Sequence, residues 1–213
     1  MAQPSTKDRI LDAAHALFNR KGVPAVTMRQ LAQAASMSQG NLNYHFPTKE
    51  EILEALHGRL LASAERLNEE VLREGVSLER LVASVRDGFE VLYDYRFFLR
   101  DLNWILREHP RLRSVFREVE GVRRAMYERA FADAILRGTM RAESYSGEHE
   151  ALITRIRIFS DYWLSSAEIY DRGSRSAIVE RHARLFEDML FPYLTDEGKE
   201  ELRISRSEAR NLG

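Results

Sequence analysis

Apolar residues recur at spacings of three and four along almost the whole chain, and this periodicity limits the possible folds more than any other feature. Ile10, Ala14, Leu17 and Phe18 begin the pattern. Such spacing is typical of amphipathic α-helices. Runs that alternate apolar and polar residues between hairpin turns, which would indicate β-strands, do not occur. We therefore predict an all-α protein.

Glycine, proline and capping residues divide the pattern into separate helices. Gly22 is suited to end the first helix in a left-handed conformation, and Pro47 is suited to end a short third one. Thr27 and Gln30 form the capping-box pattern T-x-x-Q, and Thr48 and Glu51 form T-x-x-E. The predicted helices cover about 5–21, two short segments from 27 and 38, then 48–73, 78–93, 96–108, 112–137, 149–172 and 176–194.

Composition removes several classes of protein. The 213 residues include no cysteine, so a disulfide scaffold and a thiolate metal site are excluded. No apolar run approaches the roughly 20 residues that cross a bilayer, and the first residues lack the apolar stretch of a secretory signal. We therefore expect a cytoplasmic protein without a membrane partner.

Charge is distributed unevenly along the chain. Residues 1–49 carry six basic and two acidic groups, which gives +4, whereas the whole chain has a net charge of −1. A basic amino-terminal segment on an acidic body is typical of a module that faces nucleic acid. A chance fluctuation on a solvated helix would give the same balance.

The segment 27–46 predicts a helix-turn-helix, with two short helices joined by a tight turn at 35–37. In such a unit the second helix enters the major groove of DNA. Leu42 and Phe46 face inward, and Gly40 is costly in a purely structural helix but permits close approach to a phosphate backbone. The alternative is a polar surface helix. The outward residues are Ser38, Gln39, Gly40, Asn41, Asn43, Tyr44 and His45.

Catalytic and metal-binding patterns are missing from the sequence. The six histidines form no pair at i, i+3 or i+4, and G-x-S-x-G is absent. No glycine-rich phosphate loop follows a strand. We expect no catalytic residue, no metal and no cofactor.

Two further patterns each leave an alternative open. Phe89 to Trp104 holds six of the twenty aromatic residues, which suits either a core or a ligand pocket. Two apolar stripes near the end of the chain could face the protein's own core or a symmetry mate. The stripes are Leu152, Ile156, Phe159 and Trp163, and Ile178, His182, Leu185 and Met189.

The first fifty residues resemble the tetracycline repressor (TetR) family of bacterial transcription regulators. The resemblance spans Ile10 to Ile52 and consists of I-L-x-A-A-x-x-L-F, G-x-x-x-x-T and S-x-G-N-L-N-Y-H-F-x-x-K-E in register. Beyond residue 54 only the helical length and rhythm are shared.

The resemblance implies a set of DNA contacts. Thr27 would bind phosphate at the start of the second helix, and Arg29 would contact phosphate or a base. Lys49 would contact the phosphate backbone of DNA. A lysine in the first turn of a helix opposes the helix dipole, so an external anion would explain its presence there. Asn43 departs from the pattern, in which many members have tyrosine. The other implied contacts are Ser38, Gln39, Gly40, Asn41, Tyr44 and His45.

The family also implies a ligand cavity and a dimer interface in the later helices. Asp101 and Asn103 would be polar anchors of the ligand. Dimer contacts would come from Phe159, Trp163, His182, Leu185 and Met189. Ligand contacts would come from Tyr93, Phe97, Phe98, Asp101, Trp104, Tyr127 and Phe131.

The predicted organisation is a three-helix DNA-binding head over 1–50, completed by the start of the fourth helix. A ligand-binding and dimerisation body of about five to six helices follows over 51–195, and 196–213 is a charged tail that is a solvated helix or frayed. The predicted function is a homodimeric repressor of a palindromic operator, released by a small-molecule effector. The alternatives are a DNA-binding activator or architectural protein without ligand control, and a helical carrier or enzyme with a vestigial head.

Overall fold

The computed structural model describes residues 5–74 and 78–211, and within these ranges the chain is helical without a sheet. This confirms the all-α prediction. The helices are α1 Thr6–Lys21, α2 Met28–Ala34, α3 Gln39–His45, α4 Lys49–Glu74, α5 Leu78–Asp94, α6 Arg96–Arg100, α7 Leu102–Glu108, α8 Pro110–Leu136, α9 Glu148–Tyr170, α10 Arg175–Leu190 and α11 Asp196–Asn211, with a 3₁₀-helix at Phe191–Tyr193.

Helix α1 is bounded by a capping box and a glycine. The Ser5 hydroxyl accepts the Asp8 amide, and the Asp8 carboxylate accepts the Ser5 amide. Gly22 ends the helix with φ 77° and ψ 154°. The expected left-handed helical conformation is therefore wrong, because the ψ of Gly22 is extended. This combination of positive φ and extended ψ is open essentially to glycine alone.

The segment predicted as one helix over 96–108 is two helices that meet at Asp101. Asp101 has φ −102° and ψ 14°, outside the α-helical minimum. Its carboxylate accepts the Val23 amide at 2.7 Å. The break depends on a partner 78 residues away, so periodicity within the segment cannot reveal it.

The end of the chain also differs from expectation. Residues predicted as a solvated helix or frayed tail form α11, whose residue Leu202 is only 2% exposed. Gly198 lies against the segment that follows α8, because a Cβ at that position would be 2.0 Å from the carbonyl oxygen of Thr139. The beginning of α11 is therefore a packed element.

The chain divides into two compact units. The first contains residues through Ser63 together with Asp94–Phe116, and the second contains Ala64–Tyr93 and residues from Arg117 onward. In the first, Phe18 and Phe97 are fully buried with ring centroids 5.4 Å apart. In the second, Trp163 stacks on Phe89 at 4.8 Å and contacts His182 at 4.9 Å.

Candidate DNA-binding surface

Helices α2 and α3 form the predicted helix-turn-helix, and both begin at side-chain caps. The Thr27 hydroxyl accepts the Gln30 amide, while the Gln30 side chain accepts the Thr27 amide. The Ser38 hydroxyl accepts the Asn41 amide. Between the helices Ser36 adopts φ 55°, so the turn uses a left-handed residue. These local bonds fix the orientation of both helix amino termini.

Helix α3 is amphipathic, with an apolar side packed on the core and a polar side exposed, as a DNA-recognition helix requires. Leu42 is completely buried and Phe46 is 6% exposed, so both hold the helix on the core. The outward positions predicted to contact DNA are exposed, and Tyr44 is 83% exposed. His45 is half-buried, with its ring 5.2 Å from that of Tyr44. The exposed members are Ser38, Gln39, Gly40, Asn41, Asn43 and Tyr44.

Gly40 has open space where a side chain would stand. A Cβ at this position would meet no atom of the chain within 4 Å. Internal packing therefore does not require the glycine, although it weakens a helix relative to alanine. Thr27 and Arg29 are exposed at the start of α2 on the same helix-turn-helix.

Lys49 has internal partners that the sequence does not reveal. Its Nζ donates to the carbonyl oxygens of Val23 and Val26, at 3.1 Å each, and lies 5.3 Å from the centre of the Trp104 ring. Burial lowers the pKa of Lys49, and the nearby Asp101 carboxylate partly raises it. These contacts correct the expectation that only an external anion explains a lysine in this first turn. Since an ammonium group has three donors, one is left for a phosphate.

The residues predicted to bind a ligand are divided between the two compact units. Phe97, Phe98, Asp101 and Trp104 belong to the first unit, where Phe98 packs 5.4 Å from the His57 ring. Asp101 is committed to the Val23 amide, and Asn103 is exposed. Tyr93, Tyr127 and Phe131 belong to the second unit. Phe97 and Phe98 thus serve the aromatic core of the first unit.

A small cleft in the second unit lies beside Tyr127. Its volume of about 10 Å³ accommodates roughly one water molecule. Burial raises the pKa of the Tyr127 phenol to about 12, with a smaller opposing effect of Arg123. Arg123 contacts Glu120 and Asp161, at 2.9 and 3.3 Å. The lining residues are Glu120, Arg123, Arg124, Tyr127, Ile153, Ile156, Arg157 and Ser160.

Two of the predicted dimer residues are unavailable to a partner. Trp163 and His182 are only 2% and 4% exposed, because they pack against each other inside one chain. Phe159 and Met189 are half-buried, and Leu185 is exposed. The exposed apolar residues of α9 are instead Ile158, Tyr162, Ile169 and Tyr170.

The features that the sequence predictions omitted, exposed apolar residues on α9 and the bond to Asp101, differ in whether a sequence signal existed. Ile158, Tyr162 and Ile169 follow helical spacing, so a second apolar stripe on α9 was visible beside the one chosen. The bond from the Val23 amide to Asp101 joins distant parts of the chain and has no local signal.

Within the described residues, no helix is long and apolar enough to cross a membrane, and no group of three acidic or histidine side chains could hold a metal ion. A capped helix-turn-helix with a polar outer face defines the class of this molecule, which is a DNA-binding protein.

Comparison with known proteins identifies the family. Residues 10–56 match the family model described as bacterial regulatory proteins, tetR family, and residues 58–202 match the model described as bacterial transcriptional repressor. The chain therefore belongs to the TetR family, and it is a helix-turn-helix transcriptional regulator.

Individual relatives agree with this assignment. The chain is 28% identical to the transcriptional repressor KstR of Mycobacterium tuberculosis over 84% of this chain and 78% of KstR. A TetR-family regulator from Marinobacter aquaeolei superposes with a TM-score of 0.84 at 25% identity, covering 96% of this chain and 98% of that one. The ketosteroid regulator KstR2 of M. tuberculosis shares the fold, with a TM-score of 0.72 at 21% identity, 92% of this chain and 98% of that one being covered.

Proposed function

We propose that this protein is a homodimeric repressor that binds a palindromic operator through α2 and α3 of each protomer and is released by a small molecule. The observation that carries the proposal is the outer face of α3. Its polar residues are exposed, while Leu42 and Phe46 anchor the helix to the core.

The proposed contacts divide into two kinds. The exposed amides of Gln39, Asn41 and Asn43 suit base edges, and an asparagine amide matches N7 and N6 of adenine. Thr27 at the amino terminus of α2 suits phosphate, because a helix amino terminus favours an anion. Arg29, Ser38, Gly40, Tyr44, His45 and Lys49 complete the proposed contact set.

Selection of bound duplexes from a random pool tests the proposal directly. We expect a palindrome whose half-sites are separated by about 10 base pairs or a multiple, since a two-fold dimer presents two recognition helices to one face of the duplex. Footprinting should protect both half-sites together. Protection of one unrepeated half-site would contradict a symmetric dimer.

The proposed ligand site lies in the second unit, at Tyr93, Tyr127 and Phe131, because Phe97 and Phe98 fill a core elsewhere. Ligand would act by preferring a conformation whose two heads no longer match successive major grooves. Repeating the selection with a metabolite extract tests this step, and loss of operator binding is the expected result.

A second candidate is a regulator of the same fold without ligand control. The small volume of the cleft beside Tyr127 favours it, since a site for an organic molecule usually needs about 300 Å³ or more. Unchanged operator binding across fractionated metabolite extracts would support this candidate over the first.

A further inference from the structure

The backbone of Val23 is held at both its amide and its carbonyl oxygen by oppositely charged side chains. Its amide donates to Oδ2 of Asp101 at 2.7 Å, and its carbonyl oxygen accepts a hydrogen bond from Nζ of Lys49 at 3.1 Å. Each bond involves a charged partner, which makes it stronger than a bond between neutral groups. The connection between α1 and α2 is therefore fixed at the two peptide groups that flank the Cα of Val23.

The approach of Asp101 depends on the residue before Val23. A Cβ at Gly22 would be 3.2 Å from Oδ2 of Asp101, closer than ordinary contact. The backbone of Gly22 also has φ 77° and ψ 154°, a conformation that residues with a side chain rarely adopt. Gly22 thus serves the carboxylate contact as well as the end of α1.

Lys49 extends the same contact to the start of α2. Its Nζ also donates to the carbonyl oxygen of Val26, which directly precedes the capping residue Thr27. One ammonium group therefore joins the beginning and the end of the loop that leads into α2. The amino terminus of α2 is the proposed phosphate contact, so its position matters for DNA binding.

Asp101 itself is held by the packing of α6 on α1. The Asn19 side chain accepts the Phe97 amide and donates to the Asp94 carbonyl oxygen, while Arg100 donates to the Asn19 carbonyl oxygen. These bonds hold the turn before α6, and both ends of α6, against the last turns of α1. Asp101 follows directly and is consequently a fixed anchor rather than a loose surface carboxylate.

We propose that Asp101 is a positioning residue for DNA binding, which together with the proposed phosphate contact Lys49 holds the backbone of Val23 and so orients the amino terminus of α2. Asp101 lies outside the helix-turn-helix and outside residues 1–50, yet DNA affinity depends on it. The inference rests on the proposed function insofar as its main readout is DNA affinity.

The test compares Asp101→Ala with Asp101→Asn. Alanine removes the acceptor of the Val23 amide, whereas asparagine retains an acceptor oxygen. We expect Asp101→Ala to weaken binding to a random duplex and to the selected operator by about tenfold, and Asp101→Asn to restore most of the affinity. Glu90→Gln is the matched control, since Glu90 is also a carboxylate that accepts a hydrogen bond, in its case from Arg175, and lies in the second unit.

The salt dependence of binding separates positioning from direct phosphate contact. Asp101→Ala leaves every cation in place, so the slope of log affinity against log salt should not change. Loss of a phosphate contact from each protomer would make the slope shallower by about 2. All titrations are made well below the unfolding midpoint of each variant, so that the folded fraction is equal.

Nuclear magnetic resonance of the Val23 amide provides a readout that does not require DNA. Its proton should move upfield in Asp101→Ala and stay near the wild-type position in Asp101→Asn. An unmoved resonance in both variants would overturn the contact, and a moved resonance with unchanged affinity would overturn the positioning role. If the wild-type protein bound no duplex, the proposed function would fail. The chemical shift of the Val23 amide would still show whether Asp101 accepts its hydrogen bond.

Discussion

Gly40 lies on the outer face of α3, where a glycine makes the helix less stable than an alanine would. Because its Cβ would meet open space, Gly40→Ala should raise the free energy of unfolding by up to about 1 kcal/mol, the difference in propensity inside a helix. If the glycine allows close approach to the phosphate backbone, the same change should weaken binding to operator and random duplexes alike. Chemical denaturation beside DNA titration measures both effects.

Two other helical glycines provide controls. Gly58 in α4 and Gly121 in α8 are exposed, and a Cβ at either would also meet no atom within 4 Å. Alanine at either position should stabilise the protein and leave DNA affinity unchanged. Full affinity in Gly40→Ala would show that the proposed close approach does not occur.

Glu148 links stability to pH through a single carboxylate. The Arg141 side chain, with the Ser144 amide, lowers the pKa of Glu148 from 4.5 to about 2. A carboxylate whose pKa is lower in the folded state stabilises that state above its unfolded pKa. The contribution should therefore be complete above about pH 4.5 and lost as the pH falls toward about 2.

Urea denaturation at several pH values checks this dependence. Between about pH 5 and pH 3, Glu148→Gln should lose less stability than the wild type. Glu150→Gln is the control, because the Glu150 side chain is 63% exposed in its ion pair with Arg124 and such pairs contribute little. If the free energy of unfolding fell equally with pH in the wild type and in Glu148→Gln, the lowered pKa of Glu148 would be contradicted.

At the scale of elements, we propose that the exposed apolar side of α9 is the surface that binds a second copy of the chain. Ile158 is 52% exposed and Tyr162 is 41% exposed, so a charge at either position costs little within one chain. Ile158→Asp and Tyr162→Asp should each give monomers in light scattering that keep the helical circular dichroism spectrum of the wild type, with thermal midpoints lowered by the stabilisation that association supplied. Val122→Asp, on the exposed surface of α8, should remain dimeric.

A dimer that persists in both α9 variants would place the interface elsewhere. Trp163→Asp is unsuitable for this test, because Trp163 lies in the aromatic core with Phe89 and His182. A charge there would unfold the chain and give monomers for an unrelated reason.

Elements whose limits are set by neighbouring residues were predictable from sequence. Thr27 and Ser38 cap the helices of the helix-turn-helix through bonds that span three residues, and the sequence shows both partners. Asp101 divides α6 from α7 and bonds to a residue 78 positions away. Leu202 is buried through tertiary packing of α11, although its own segment is rich in charge.

At the scale of the whole molecule, the fold class and the outer face of α3 were predictable because both follow from periodicity. The distribution of aromatic residues was not. Phe97 and Tyr93 are four residues apart, yet they belong to different compact units. Sequence proximity places both in one cluster, whereas the packing of α6 on α1 makes Phe97 part of the first unit.

The first compact unit is discontinuous in sequence, and this has a consequence for synthesis on the ribosome. Phe18 needs Phe97 to complete its burial, so the amino-terminal segment cannot close its core when it first emerges. At about 5–20 residues per second, the missing segment follows after several seconds. During that interval the recognition helix lacks part of its supporting core, which can be completed only after residues through Phe116 have left the ribosome.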